Sequence, residues 1–442
     1  MSENISKDDK DRFSGNLIKN RLGLCASVMK GIVMLRVSKL LLLSSFLFLS
    51  VSESTRAQGI LLRGVGTVSD SMVGTAIATP LDAGGTIYAN PAAIAGLESQ
   101  IGFDLGVIMP HSTVTSEFSG GAGRGTANSQ AGQIPAPTMS FVNRNCPHSR
   151  LTYGIAIAGV GGAAALYPGM GDVNPILHGE ARASNVQIFQ IMPTASYKVT
   201  NRLALGFSPV IGLASLSINP MPFGLDAAHP MQNYGTRYTW GGGFNIGAYY
   251  DFKNHWKAGF TFKSPVWSDP LRFTGTQDGL PTDAELAIDL PLILGWGVSY
   301  SGFRNTIIGV DIRYMDYANT KGFRDIMDDN GTVIGLGWDS VTAVSVGVER
   351  KIGDRLRVRA GYCYNTNPIS SESQYANVAS PLFMQHVLGL GCTVALPKSI
   401  DAHLAWTHAF HNEKTGYDPS GRVKVINTSR ADTILAGITK RF

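Results

Sequence analysis

The sequence predicts an all-β protein: a transmembrane antiparallel β-barrel of about 14 strands with an N-terminal hatch, or plug, in its lumen. Two observations predict it. First, large apolar side chains alternate with small or polar ones, as in Ile101, Phe103, Leu105 and Val107 around Gly102, Asp104 and Gly106. This period-2 pattern recurs about 14 times and no helical periodicity supplies a second layer, so the sheet must close on itself, apolar side to lipid. Second, the connections alternate between short and long. Tight periplasmic turns and longer outside loops sort in this way, and a soluble sandwich has no reason to do so.

The elements follow in order. Residues 1–57 read as a secretory signal: Leu40 to Val51 is apolar, follows Arg36 and Lys39, and leads to the small-x-small exit Thr55-Arg56-Ala57. The n-region is long enough to make Met29 or Met34 an alternative start. Residues 58–98 are rich in Gly, Ala and Thr and do not alternate, and read as the compact hatch. The barrel occupies 99–442, with strands near 100–110, 135–143, 150–160, 184–198, 202–218, 236–252, 256–266, 284–300, 304–319, 338–352, 355–366, 382–396, 400–411 and 428–442. The long connections fall near 111–134, 161–183, 219–235, 267–283, 320–337, 367–381 and 412–427. Aromatic residues at strand ends, among them Trp240, Tyr249, Trp296, Tyr317, Trp338 and Trp406, suit interfacial girdles.

Charge and cysteine content exclude other classes. The first 57 residues hold nine of 37 Lys+Arg and five of 32 Asp+Glu, leaving 28 and 27 and a net charge of +1. A nucleic-acid partner is not implied. Alternation puts Cys363 inward and Cys392 outward, so no disulfide is expected between them. No Gly-x-Ser-x-Gly elbow or His-Glu-x-x-His helix appears, and His408 sits on the opposite face from His403 and His411. Neither catalysis, a metal nor a cofactor is expected. A non-selective porin or a purely structural barrel is the remaining alternative, but it should lack an insert before the first strand.

The block from Gly84 to Ala95, with Asn90-Pro91-Ala92 at its centre, resembles the plug signature of FadL-type (OmpP1/TodX) outer-membrane transporters of hydrophobic compounds. The segments Trp240 to Gly247, Phe262-Lys263-Ser264-Pro265, Arg359-Ala360-Gly361-Tyr362 and Trp406 to Phe410 resemble the same family. One departure is Lys440, two residues before the terminal Phe442, where an aromatic or apolar residue is usual. The resemblance implies a barrel closed by a hatch. Ligand would be captured in an outer groove, pass to an inner site near the hatch and leave sideways at a kinked third strand. Long-chain fatty acids are the expected cargo, with alkanes or aromatic hydrocarbons as the alternative.

Candidate residues exist for each part. Met221, Phe223, Leu225, Met231, Trp267, Leu271 and Phe273 lie in long loops and form either a capture groove or mutual packing over the mouth. Gly159, Gly161 and Gly162 mark either a wall kink or the start of a loop. Gln58, Gly59 and Ile60, with Asn90, Pro91 and Ala92 facing the kink, are the hatch and gate. Asp104, Asp311, Arg313, Glu349, Arg357 and Arg359 point into the lumen, to pair with one another or the hatch, or for one Arg to hold a carboxylate. The expected partners are the hydrophobic ligand, outer-membrane lipid and lipopolysaccharide, and the barrel-assembly machinery through Phe442; a monomer is expected.

Overall fold

The computed structural model describes residues 58–121, 123–144, 146, 149–169, 174–177, 180–225, 230–233 and 235–442. The segment 1–57 expected to be a signal, with the alternative starts Met29 and Met34, lies outside the described residues. The strands are β1 (Gln100–Phe118), β2 (Arg124–Asn128), β3 (Ile134–Asn143), β4 (Leu151–Tyr167), β5 (Arg182–Lys198) and β6 (Leu203–Asn219). Next come β7 (Arg237–Asp251), β8 (Trp256–Lys263), β9 (Trp267–Ser268), β10 (Leu271–Gln277), β11 (Leu280–Leu286) and β12 (Ile293–Phe303). The last are β13 (Thr306–Met315), β14 (Val341–Ile352), β15 (Leu356–Asn365), β16 (His386–Leu396), β17 (Ile400–Tyr417) and β18 (Val423–Arg441).

Sixteen strands share one sheet, and setting aside the short additions β2 and β9 leaves fourteen that form the wall. Neighbours run antiparallel, and β18 pairs back onto β1 from Gln100↔Arg441 to Phe118↔Val423. Closure leaves no edge strand, which the hydrocarbon core demands. Outward positions such as Ile101, Phe103 and Leu105 are exposed, while Asp104 between them is buried.

Three expectations need correction. The stretch 284–300 is not one strand: residues up to Leu286 pair with β10 as a separate hairpin, and β12 begins only at Ile293. Pro291, with no N–H for a ladder, stands between them. The segments 111–134 and 412–427 are largely not loops, because β1, β17 and β18 run on past the apolar belt. Their alternation continues in Thr, Ser and Val, where a hydrophobicity criterion does not see it. Tyr249, Tyr317 and Trp338 are buried rather than in a girdle.

Residues 58–98 carry helix α1 (Thr67–Ser71), helix α2 (Ala83–Ala89) and a 3₁₀ turn, Pro91–Gly96. The Asp82 carboxylate caps α2 by accepting from the Gly85 amide at 2.8 Å. Asn90 ends α2 and caps the 3₁₀ turn, its Oδ1 accepting from the Ala92 amide at 3.0 Å, and Pro91 takes the first position, where no N–H is needed. Hydrogen bonds from this segment reach Asp104 of β1, Ser196 of β5, Ala248 of β7, Ser299 of β12 and Ser345 of β14. Only a segment inside the ring can touch so many of its staves.

The wall makes room for it with glycine. Gly309, Gly347, Gly361 and Gly389 are direct partners across four consecutive strands. A Cβ at Gly361 would lie 2.6 Å from the Met72 carbonyl carbon, and one at Gly247 would overlap Asn90 Oδ1.

Candidate ligand path

The lumen charges hold the N-terminal segment. The Asp311 carboxylate accepts from the amides of Ala76 at 2.8 Å and Ile77 at 3.0 Å, and lies 3.6 Å from the Arg313 guanidinium. Arg313 donates onward to the carbonyls of Arg63 and Gly74. Asp104 accepts from the Thr67 amide at 3.0 Å. Arg359 pairs with Glu349 at 2.7 Å, and Arg357 with Asp401 at 3.0 Å. Each of these arginines therefore has a protein acceptor, as a structural network requires. Within the segment, burial pushes the Asp70 carboxyl up to about 6, with Arg63 and Arg313 pulling the other way. Burial likewise pushes Asp82 up to about 7, against the Gly85 N–H.

The first described residues behave differently. Ile60 to Leu62 dock on β4 through an isolated antiparallel bridge, Leu61 opposite Gly161: Leu62 N–H donates to the Val160 carbonyl at 2.8 Å, and Gly162 N–H to the Ile60 carbonyl at 3.1 Å. This edge of β4 is free because its ladder with β3 stops at Thr138↔Ala158. Pro135 and Pro137 lie just beyond on β3 and have no N–H to extend it. On the other side, the β4–β5 register slips between Gly159 and Gly161. Gly161 must be small, since a Cβ there would sit 2.8 Å from the Ile60 carbonyl oxygen. The gap in the wall thus lies beside Gly159, Gly161 and Gly162 and is backed by Ile60 to Leu62.

The Asn90-Pro91-Ala92 turn does not face this kink, contrary to expectation. Asn90 Nδ2 donates to the carbonyls of Ile77 at 2.9 Å and Ala248 at 3.0 Å, over Gly206 and Gly247 of β6 and β7. Its amide links the segment to a different part of the wall.

An aromatic clamp holds Gln58 and Gly59. Tyr317, Phe323 and Trp338 meet with ring centroids 4.8–5.2 Å apart. Tyr317 Oη donates to the Gln58 carbonyl at 3.2 Å. Gly59 has φ +72°, and a Cβ there would lie 2.7 Å from Tyr317 Cζ and 2.9 Å from Trp338. Sequence reasoning missed this clamp, because an aromatic at a strand end reads alike whether it faces lipid or lumen.

Ile60 stands where three spaces meet. Above it is an apolar cavity of about 420 Å³, lined by Val186, Leu216, Phe223, Leu336 and Trp338, with Arg182 and Glu372 the charged residues in its lining. To one side a pocket of about 40 Å³ reaches Val266 and Leu271. Below, a chamber of about 90 Å³ is lined by Arg63, Asp70, Ile134 and Gly162, next to the gap in the wall. Arg63 also escaped sequence reasoning; its buried Nε has no hydrogen-bond partner among the described residues.

The loop candidates divide. Phe223 lines the large cavity, whereas Met221, Met231, Leu271 and Phe273 pack with Leu286 and Val333 in a core, and Leu225 lies against its edge. Trp267 is not part of a groove: it pairs with outward-facing Gly242 and is 55% exposed.

The family model for outer membrane transport proteins (OMPP1/FadL/TodX) matches residues 48–442. The chain belongs to this family. It is an outer-membrane β-barrel transport protein. Among solved structures, it resembles the toluene transporter TodX of P. putida at 16% identity and TM-score 0.67, covering 86% of this chain and 99% of that one. It resembles the toluene transporter TbuX of Ralstonia pickettii at 17% identity and TM-score 0.62, over 86% and 99% of the two chains. A Pseudomonas aeruginosa FadL homologue aligns at 13% identity and TM-score 0.65, over 87% and 100%. At these identities the likeness concerns the fold. Comparison with curated proteins gives no match.

Proposed function

We propose that this protein takes up hydrophobic molecules across the outer membrane, with residues 58–98 as a hatch. Cargo enters the apolar cavity above Ile60. Displacement of Ile60 to Leu62 from the β4 edge then joins that cavity to the lower chamber and uncovers the gap beside Gly159 to Gly162. The observation that carries this reading is the position of Ile60, which borders all three spaces. A volume of about 420 Å³ with a mainly apolar lining suits a small hydrophobic ligand.

A long-chain fatty acid is the first reading of the cargo, its carboxylate beside Arg182 at the cavity wall. A neutral hydrocarbon is the second. It is favoured by the engagement of Arg313, Arg357 and Arg359 with protein acceptors, and by similarity to channels described as toluene transporters.

The test is uptake of labelled oleate and labelled toluene by cells producing Ile60→Trp or Arg182→Ala. Ile60→Trp fills the junction and should lower uptake of both by about tenfold, the effect of roughly 1.4 kcal/mol on a barrier. Arg182→Ala should lower oleate uptake and spare toluene if fatty acids are the cargo. Unchanged uptake in folded Ile60→Trp protein rejects the path.

A further inference from the structure

The outward face where β17, β18 and β1 meet carries charge at a level where a barrel wall is usually apolar. From Ile101 through Phe103, Leu105 and Val107, and from Ile438 to Ile434 on the paired strand, the surface is apolar. It then changes. Asp432 is bound by His408 Nδ1 at 2.8 Å and by Trp406 Nε1 at 3.1 Å. His408 is also edge-on to Phe410, with ring centroids 4.9 Å apart. One step further from the termini, His111 and Arg430 are direct cross-strand partners and both are exposed. Neither side chain makes a hydrogen bond or ion pair among the described residues, although His111 lies close enough to Asp432 to interact with its charge.

The depth of this patch follows from strand geometry. Residues 101 to 111 at about 3.3 Å each, inclined by about 40°, rise about 25 Å, the height of the apolar belt of a barrel. His111 and Arg430 therefore sit at the outer margin of the hydrocarbon. The wall does not stop there. Thr113 and Thr428 share a hydroxyl hydrogen bond of 2.6 Å above them, and Glu117 then pairs with Lys424 at 3.4 Å and Arg124 at 3.8 Å. The strands thus offer a cation at the phosphate level and a hydroxyl and ionic flank beyond it. On β5 and β6 the outward groove lined by Asn185, Gln187, Ser215 and Ser217 has no charged residue in its lining.

We propose that Arg430, His111 and His408 form an outward site for the phosphate-bearing sugar headgroup of an outer-leaflet glycolipid. A guanidinium forks onto a phosphate through two parallel N–H donors, which suits Arg430. Asp432 fixes the His408 ring from one side and, when that ring is protonated, leaves Nε2 as a donor toward the same headgroup. Trp406 and Phe410 lie against the upper acyl region, as interfacial aromatics do.

The experiment is native mass spectrometry of the purified full chain in detergent with diphosphoryl lipid A as the probe. One lipid A should be retained per barrel. The double variant Arg430→Ser, His111→Ala should bind at least about tenfold more weakly, since it removes more than one charge-assisted hydrogen bond. Arg430→Lys should fall between, and Gln187→Ala, on the far groove, should match the wild type. With wild-type protein, dephosphorylated lipid A and phosphatidylglycerol should both bind weakly. This arm decides the matter even if the double variant fails to fold, which its heat-modifiable migration reports. Equal binding of phosphatidylglycerol would mean a general anionic surface and would overturn the site. So would undiminished lipid A binding by the folded double variant.

Discussion

The N-terminal segment is held in two ways. Residues 63–98 are fixed by buried carboxylates, arginines and close glycine contacts around the ring, with Asp311, Arg313, Asp104 and Asn90 each bonded to a backbone group across the lumen. Residues 58–62 are held by two backbone hydrogen bonds to β4, phenol hydrogen bonds from Tyr317 and Tyr88, a long Gln58 Nε2–Cys363 Sγ contact and aromatic packing. The first kind of attachment strands buried polar groups if it breaks; the second releases mostly apolar surface and a few hydrogen bonds. A lumen filled in this way has a fixed body and a tail that can leave at lower cost. For the path proposed above, this contrast puts the opening at the tail rather than the body.

The largest expected effect comes from breaking the body. Asp311→Ala removes the acceptor for two amides and leaves Arg313 without its carboxylate. Removing one partner of a buried pair costs about 3–5 kcal/mol. The variant barrel should still fold and migrate as heat-modifiable, but should pass small sugars in a liposome swelling assay. Permeability no greater than that of the wild type would show that the body does not depend on this anchor, and the contrast with the tail would weaken.

The tail gives a smaller effect in another assay. Tyr317→Phe keeps the ring against Phe323 and Trp338 and deletes only the hydrogen bond to the Gln58 carbonyl. The expected cost is about 1 kcal/mol, so hydrophobic uptake should rise roughly fivefold if tail release limits it. Sugar permeability should stay low. Should sugars pass as readily as through Asp311→Ala, tail and body would be one unit.

The two regions also differed in how far the sequence revealed them. The alternation from Ile101 to Val107, repeated along the chain, was enough for all fourteen wall strands, because one face must be apolar for lipid. It failed where that demand ends. Thr113, Thr115, Thr428 and Ile426 continue their strands above the apolar belt with no contrast to detect. The capping residues of the body, Asp82 and Asn90, lie in a legible run of turns, but which stave Asn90 faces depends on how the ring closes. At the gap, Gly159 to Gly162 were visible as weak points on β4. Pro135 and Pro137 on β3 are the other half of the cause, and alternate prolines near a strand start are a signal that could have been used. Nothing local to Tyr317 or Trp338 distinguishes a clamp from a girdle, since the difference lies in a backbone segment some 260–280 positions away.

Proton concentration should separate body from tail most gently. Asp82 in the body has its carboxyl pushed by burial from 3.8 to about 7, against the Gly85 N–H, and Asp70 is raised in the same direction. A folded-state value above the unfolded one means that the folded body binds the proton more tightly. The stability contributed is complete below the unfolded value of 3.8 and is lost as pH rises through about 7. The side chains of residues 58–62 carry no acid or base, so their attachment to β4 should respond far less over that range. Hydrogen exchange of the amides in 83–90, corrected for intrinsic rates, should show protection falling as pH rises from about 5 to about 8, at most about tenfold for each tenfold drop in proton concentration. The Val160-bonded amide of Leu62 should show little change. Asp82→Asn keeps a capping oxygen without the charge, and should flatten the response of 83–90. A wild-type body whose protection does not vary with pH would mean that Asp82 stays ionised with water beside it, and that the lumen around α2 is wetter than its packing indicates.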